Sequence, residues 1–186
     1  RATRLVTQLL TMARLDPDNR SRPFLPVDMT QLARSVAEDL RPIAEQKHIH
    51  LWAVSETPTV VVANEDALRL LMTNLCDNAL RYTPEGGEIR IETLVRDTEA
   101  SFRVCDNGPG IPEAERERIF ERFYRAEGTK TIPGTGLGLA IVRRVAELPG
   151  GKPSISEGIE GKGVCFSIDF PICKAAVENQ SSAEDE

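Results

Sequence analysis

The chain has 186 residues, is 40% hydrophobic and 28% charged, and carries a formal net charge of -6. These proportions suit a globular domain with one core of ordinary size and exclude a disordered polymer. No apolar run approaches the ~20 residues of a membrane-spanning helix, and the mild acidity argues against nucleic acid as a partner.

RATRLVTQLLTMARLD places Leu5, Leu9 and Met12 at helical spacing with no cap in front, and Pro17 closes the run. A lone helix of this length is marginal in water, so its stripe needs a partner. That partner is either its own domain or the other arm of a dimerisation hairpin. Arg20 to Pro26 reads as a polar linker. Asp28 or Thr30 then caps a helix to about Lys47, with Leu32, Val36, Leu40 and Ile43 along one side. IHLWAV and TVVVA read as strands. Asn64 or Asp66 starts a second helix, which TPEGG ends.

EIRIETLVRD and ASFRVCD read as a strand pair. From Asn107 to Gly134 only one short helix, about Pro112 to Phe123, interrupts a loop of a length that is usually functional. GLGLAIVRRVAEL forms a third helix with Leu137, Ile141, Val145 and Leu148 on one side, stopped at Pro149-Gly150. KPSISEG and GVCFSIDF make a final hairpin. The tail from Lys174 to Glu186 sets four acids against one lysine and is expected to be disordered. The order of elements predicts an α/β (α+β) two-layer sandwich: a mixed, mostly antiparallel sheet of about five strands with three helices on one face.

Cys76, Cys105, Cys165 and Cys173 show no CxxC spacing, and each sits beside apolar neighbours. They read as buried free thiols of a reducing cytosol, not as disulfides or a zinc site. The sequence opens at Arg1 without an initiator methionine or signal peptide and reads as a piece of a longer chain.

Three short stretches carry chemistry. In LMTNLCDNALRYT, a helical wheel puts Leu68, Leu71, Met72, Leu75, Cys76 and Ala79 on one apolar stripe, with Asn74, Asn78 and Arg81 along its margin. Asparagine is a poor helix former, and an unpartnered buried amide costs about 1–3 kcal/mol. The pair is therefore bonded either to nearby backbone or to a ligand. In VCDNGPGIP a strand ends in Asp106 and turns through Gly108 and Gly110, which permit positive φ and close backbone approach. Such a carboxylate serves either an ordinary turn or an exocyclic amine such as adenine's. In PGTGLGLAIV, Gly134, Gly136 and Gly138 precede and open a helix whose N-terminal amides suit phosphate oxygens. Neither the dinucleotide fingerprint nor a P-loop is present.

Together, NLCDNALRYT, DNGPGIP, IFERFYR and GTGLGLAIV resemble the ATP-binding domain of sensor histidine kinases, within the ATPase superfamily shared with gyrase and heat-shock chaperones. The resemblance implies an ATP-binding catalytic domain at residues 20–173, with an ATP lid at about 107–134. Residues 1–19 would then hold the end of the second dimerisation helix and a linker, and residues 174–186 the acidic tail. It implies ATP and Mg²⁺ as cofactors, with Asn78 as metal ligand and Asn74 contacting the metal or its waters. Arg81 would sit near phosphate or ribose, Tyr82 against the nucleoside, and Asp106 on the adenine amine. Gly108 and Gly110 would shape that pocket, and Gly134, Thr135, Gly136, Leu137 and Gly138 would close the far side through backbone amides to the phosphates. Arg122, Arg125 and Lys130 would be lid cations, and Ile119, Phe120 and Phe123 an apolar cluster that either docks on the dimerisation helices or packs under the lid.

Hydrolytic members of the superfamily carry a glutamate four residues before the metal-binding asparagine. Here that position is Asn74, which cannot serve as a general base. The resemblance therefore implies phosphoryl transfer to a histidine, with Asn74, Asn78 and Arg81 nearest the chemistry, rather than fast hydrolysis. His48 and His50 lack the family's phosphoacceptor context, so the acceptor is expected on a helix before Arg1. The implied partners are the dimerisation helices of the same protein, as a homodimer, and a cognate response regulator. The implied location is the cytoplasmic side of a membrane-anchored bacterial sensor.

Overall fold

The computed structural model describes residues 23–172 except 56, 97, 130, 131 and 133. The helix expected in residues 1–16, Lys130, Cys173 and the acidic tail lie outside the described residues.

The first strand lies where the sequence suggests a linker. β1 (Leu25–Asp28) pairs antiparallel with β3 (Val60–Ala63) in a two-stranded ribbon, Pro26 opposite Val62. Pro26 lacks an N–H, but an edge strand tolerates that loss. The turn into α1 (Met29–Gln46) is capped by Asp28, whose carboxylate accepts the Gln31 N–H at 2.9 Å. α1 buries Leu32, Val36 and Leu40 as expected, but Ile43 is 44% exposed. The chain folds back at that end, the Ile49 N–H donating to the Ala44 carbonyl at 2.9 Å, and it is Ile49 that is buried.

β2 (His50–Ser55) is the edge of the main sheet, whose order is β2-β4-β5-β7-β6. It runs parallel to β4 (Glu88–Arg96), reached through β3 and α2 (Glu65–Tyr82). β5 (Glu99–Asp106), β6 (Lys152–Glu157) and β7 (Val164–Pro171) pair antiparallel, as expected for a mixed, mostly antiparallel sheet of five strands. Period-two alternation sends Ile89, Ile91, Phe102, Val104, Phe166, Ile168 and Phe170 to the helical side, where all are buried. Burying each contributes roughly 1.5–3 kcal/mol before the entropy of ordering is subtracted.

α2 lies between α1 and α3 (Gly138–Glu147), so three helices cover one face. Asn64 caps α2 by accepting the Ala67 N–H at 3.0 Å, and Lys47 Nζ donates to the Leu80 carbonyl at 2.7 Å near its far end. No helix among the described residues is long and apolar enough to cross a membrane.

One cysteine expectation is corrected. Cys105 and Cys165 are opposite each other in the β5–β7 register and form a disulfide. Cys76 is the buried free thiol expected, and its burial pushes its pKa up.

Candidate functional site

The apolar stripe of α2 is buried, and Asn74, Asn78 and Arg81 on its margin all line a cavity of about 810 Å³. Asn74 is itself buried, and its Nδ2 donates to the Leu70 carbonyl one turn back at 2.8 Å. That bond removes the cost of an unpaired donor. A Cβ placed on Gly138 would lie 3.2 Å from Asn74 Oδ1 and 3.8 Å from Asn78 Oδ1. Asn78 Nδ2 is 3.9 Å away, so both side-chain amides approach the first turn of α3.

β5 delivers Asp106 to the same cavity as its last, inward-facing residue. Asp106 is buried, and its Oδ1 accepts N–H groups from Gly108 at 2.9 Å and Val164 at 3.4 Å. Burial raises the carboxyl pKa above its ordinary value, and the two donors oppose that rise. Tyr82 and Gly110 line the cavity as expected. Gly108 does not line it; its N–H is committed to orienting Asp106.

The lid departs from expectation. In place of one helix from Pro112 to Phe123 there are 3-10 turns at Glu113–Glu115 and Arg118–Phe120, with another at Glu127–Thr129. The segment is rich in helix-forming Glu and Arg but lacks the apolar stripe that would hold a longer helix against the core. The expected apolar cluster is split. Ile119 is buried and Phe120 meets Phe166 edge-on at 6.4 Å between ring centroids, whereas Phe123 is 65% exposed. Tyr124 OH donates to Glu115 at 3.2 Å, and the Arg118 guanidinium lies 4.5 Å over its ring.

Arg125 lines the cavity, its Nη2 donating to the Thr129 and Ile132 carbonyls, while its buried Nε has no partner among the described residues. A Cβ on Gly134 would meet Arg81 Nη1 at 2.8 Å and Arg125 Nε at 3.9 Å, so both guanidinium groups approach that glycine. Gly136 has φ +70°, and its carbonyl accepts the Phe123 N–H at 2.9 Å. A Cβ there would lie 2.7 Å from the Phe123 carbonyl carbon, so only glycine fits without strain. Thr135 lines the cavity, with its Oγ1 accepting the Leu137 N–H at 3.3 Å. The Leu137 side chain is buried in the core and does not line the cavity, which leaves only its backbone on that side. Among the described residues no side-chain bond caps α3, and Gly138 and Leu139 of its first turn both line the cavity.

The sequence reading missed Asp77, Ile111, Tyr124, Val164 and Phe166, which also line the cavity. Asp77 was findable, since it sits one helical turn before Arg81 on the same wheel margin. His48 is exposed at a left-handed turn 3.9 Å from Glu85, and His50 is exposed at the start of β2. Neither lines the cavity.

A helix with paired amides, a strand-end carboxylate and a glycine-bounded flap thus surround one space. The family described as histidine kinase-, DNA gyrase B-, and HSP90-like ATPase matches residues 63–174. The chain belongs to that family. It is 41% identical over 171 residues to the sensor protein kinase PmrB of Pseudomonas aeruginosa, covering 92% of this chain and 36% of PmrB. The solved mycobacterial sensor histidine kinase MprB superposes with TM-score 0.71 at 32% identity, covering 80% of this chain and 97% of that one. Full-length ShkA, solved with AMPPNP, gives TM-score 0.77 at 34% identity over 91% of this chain and 35% of its own. The chain is a sensor histidine kinase catalytic domain by kinship, and it spans about a third of the length of curated relatives such as PmrB.

Proposed function

We propose that the cavity binds Mg·ATP and that the chain is the part of a sensor histidine kinase that passes the γ-phosphoryl group to a histidine. The observation that carries this is the convergence of the Asn74 and Asn78 side-chain amides, the buried Asp106 carboxylate and the uncapped start of α3 on one space of about 810 Å³. Asp106 would accept a hydrogen bond from the adenine amine, held at the right angle by Gly108 and Val164. Tyr82 would lie along the nucleoside. Arg81, Arg125 and Lys130 would balance phosphate charge, while Gly134, Gly136 and Gly138 let backbone amides approach the oxygens.

The residues present fit magnesium. Among the described residues no three His, Cys, Asp or Glu side chains form a metal cluster, but hard amide oxygens from Asn78 and Asn74 suit a cation that otherwise takes phosphate oxygens and water. When bound, the ion neutralises charge on the phosphates. What the chain itself does is position: it fixes the purine at one end and the triphosphate at the other, with little covalent work of its own. The acceptor histidine would come from dimerisation helices of the same protein in a homodimer, with relay to a response-regulator aspartate. The full protein is read as a membrane-anchored sensor with this domain in the cytoplasm.

Calorimetry with AMPPNP and magnesium tests the cavity. Binding is expected, and Asn78→Ala is expected to remove its magnesium dependence. A histidine-bearing helical hairpin supplied with γ-labelled ATP should acquire acid-labile label. Absence of nucleotide binding by folded protein would end the proposal, and label on His48 or His50 would displace the acceptor. Asp77 favours a second reading, slow ATP hydrolysis, because it brings a carboxylate to the cavity where Asn74 offers none. Steady-state phosphate release that disappears in Asp77→Asn would support that reading.

A further inference from the structure

On the face of the sheet opposite the helices, Cys105, Cys165 and Ile159 form a small buried apolar cluster. The cysteines are bonded across β5 and β7, and Ile159 lies in the 3-10 turn Ile159–Gly161 that links β6 to β7. The next residue after Cys105 is Asp106, and the one before Cys165 is Val164. Both point through the sheet to the cavity, where the Val164 N–H donates to Asp106 Oδ1. One pair of strand ends is thus tied twice, by sulfur on one face and by the bond that aims the purine-facing carboxylate on the other.

The turn over the cysteines is wedged against the same residue. A Cβ on Gly158 or on Gly163 would lie 2.1 Å from the Asp106 carbonyl oxygen. Lifting Ile159 to reach the sulfurs therefore disturbs the backbone that seats Asp106. Arg103 supplies the missing chemical element. Its Nη2 lies 3.3 Å from Cys165 Sγ, while its Nη1 lies 3.3 Å from Glu92. A cation at that distance favours the thiolate of Cys165 once the bond is open.

We propose that Cys105 and Cys165 form a thiol–disulfide switch that sets nucleotide affinity by fixing or releasing the strand ends around Asp106. The inference rests on the nucleotide reading above. The oxidant is a small disulfide such as oxidised glutathione. The Cys165 thiolate attacks one of its sulfurs, breaking that S–S bond and expelling one glutathione thiolate. The Cys105 thiolate then attacks the mixed disulfide at Cys165 Sγ and expels the second. The protein loses two electrons and two protons, and oxidised glutathione becomes two thiols. A dithiol reverses the exchange. With the bond closed the pocket is preorganised and binds more tightly; with it open, ordering the strand ends is charged against binding.

The test uses the full chain, equilibrated in reduced or oxidised glutathione, with the state of the pair read by thiol counting and peptide mass spectrometry. AMPPNP affinity is expected to be at least about fivefold higher for the oxidised form. Linkage requires the reciprocal effect: saturating AMPPNP should shift the thiol–disulfide midpoint toward oxidised by the same factor. Cys105→Ser and Cys165→Ser should bind nucleotide with no dependence on glutathione state. Equal affinities in two verified states overturn the proposal, as does a pair that stays reduced throughout, or a dependence that survives in Cys105→Ser. No nucleotide binding in either state removes the functional reading and this inference with it, whereas redox-independent binding removes only this inference.

Discussion

α2 and the end of β5 hold their polar groups through backbone bonds: Asn74 to the Leu70 carbonyl, Asp106 to the Gly108 and Val164 amides. The polar groups of the lid from Asn107 to Gly134 bond instead mostly within it, with Tyr124 on Glu115, Arg118 on Tyr124 and Arg125 on two lid carbonyls, while Ile119 and Phe120 tie it to the core. A wall of the first kind is preorganised, so removing one of its groups costs binding directly. A flap of the second kind stores little stability, so changes there alter how often it closes before they alter what it touches.

The largest effect is expected at the wall. Asp106→Asn should weaken adenine-nucleotide binding by roughly ten- to hundredfold, since a hydrogen bond to a charged group is worth about 1.5–3 kcal/mol. It should not lower folded stability at neutral pH. The native pKa of Asp106 is raised by burial, so its contribution to stability is full below the ordinary carboxyl value and is lost as pH rises through the raised native value. Denaturant unfolding of both proteins between mildly acidic and neutral pH should show wild type gaining on the variant as pH falls. A stability loss in the variant at neutral pH that matches its affinity loss would move Asp106 from recognition to folding.

Gly136→Ala probes the flap. The left-handed φ and the contact with Phe123 backbone should cost about 1–2 kcal/mol, read as about tenfold weaker triphosphate binding and faster proteolysis within the lid. Core melting should barely change; a large fall in melting temperature would mean that lid and wall are one unit. Smallest is Tyr124→Phe, which removes only the part-buried bond to Glu115 and should cost under about 1 kcal/mol. If it matched Gly136→Ala in calorimetry and proteolysis, the side-chain latch rather than the glycine would set closure.

The same contrast explains what the sequence could convey. Asn74, Asn78, Arg81 and Asp106 were readable because helix and strand periods fix which way each side chain points. Val164 and Phe166 were not, because the strand period gives their face but not which strands border the cavity, and Tyr124 was not, because no period applies in the lid. β1 was hidden by Pro23 and Pro26, whose linker signal an edge strand overrides. The Cys105–Cys165 pairing, 60 residues apart in sequence, needs the β5–β7 register before it can be seen.

The parallel seam between β2 and β4 is bridged in sequence by β3 and α2, so the helix bearing the asparagines is also the strap that returns the chain to the sheet. That strap cannot loosen far without dragging the edge strand. A nucleotide that grips it tightens the whole architecture, and loading the cavity makes global unfolding rarer as well as stilling a flap.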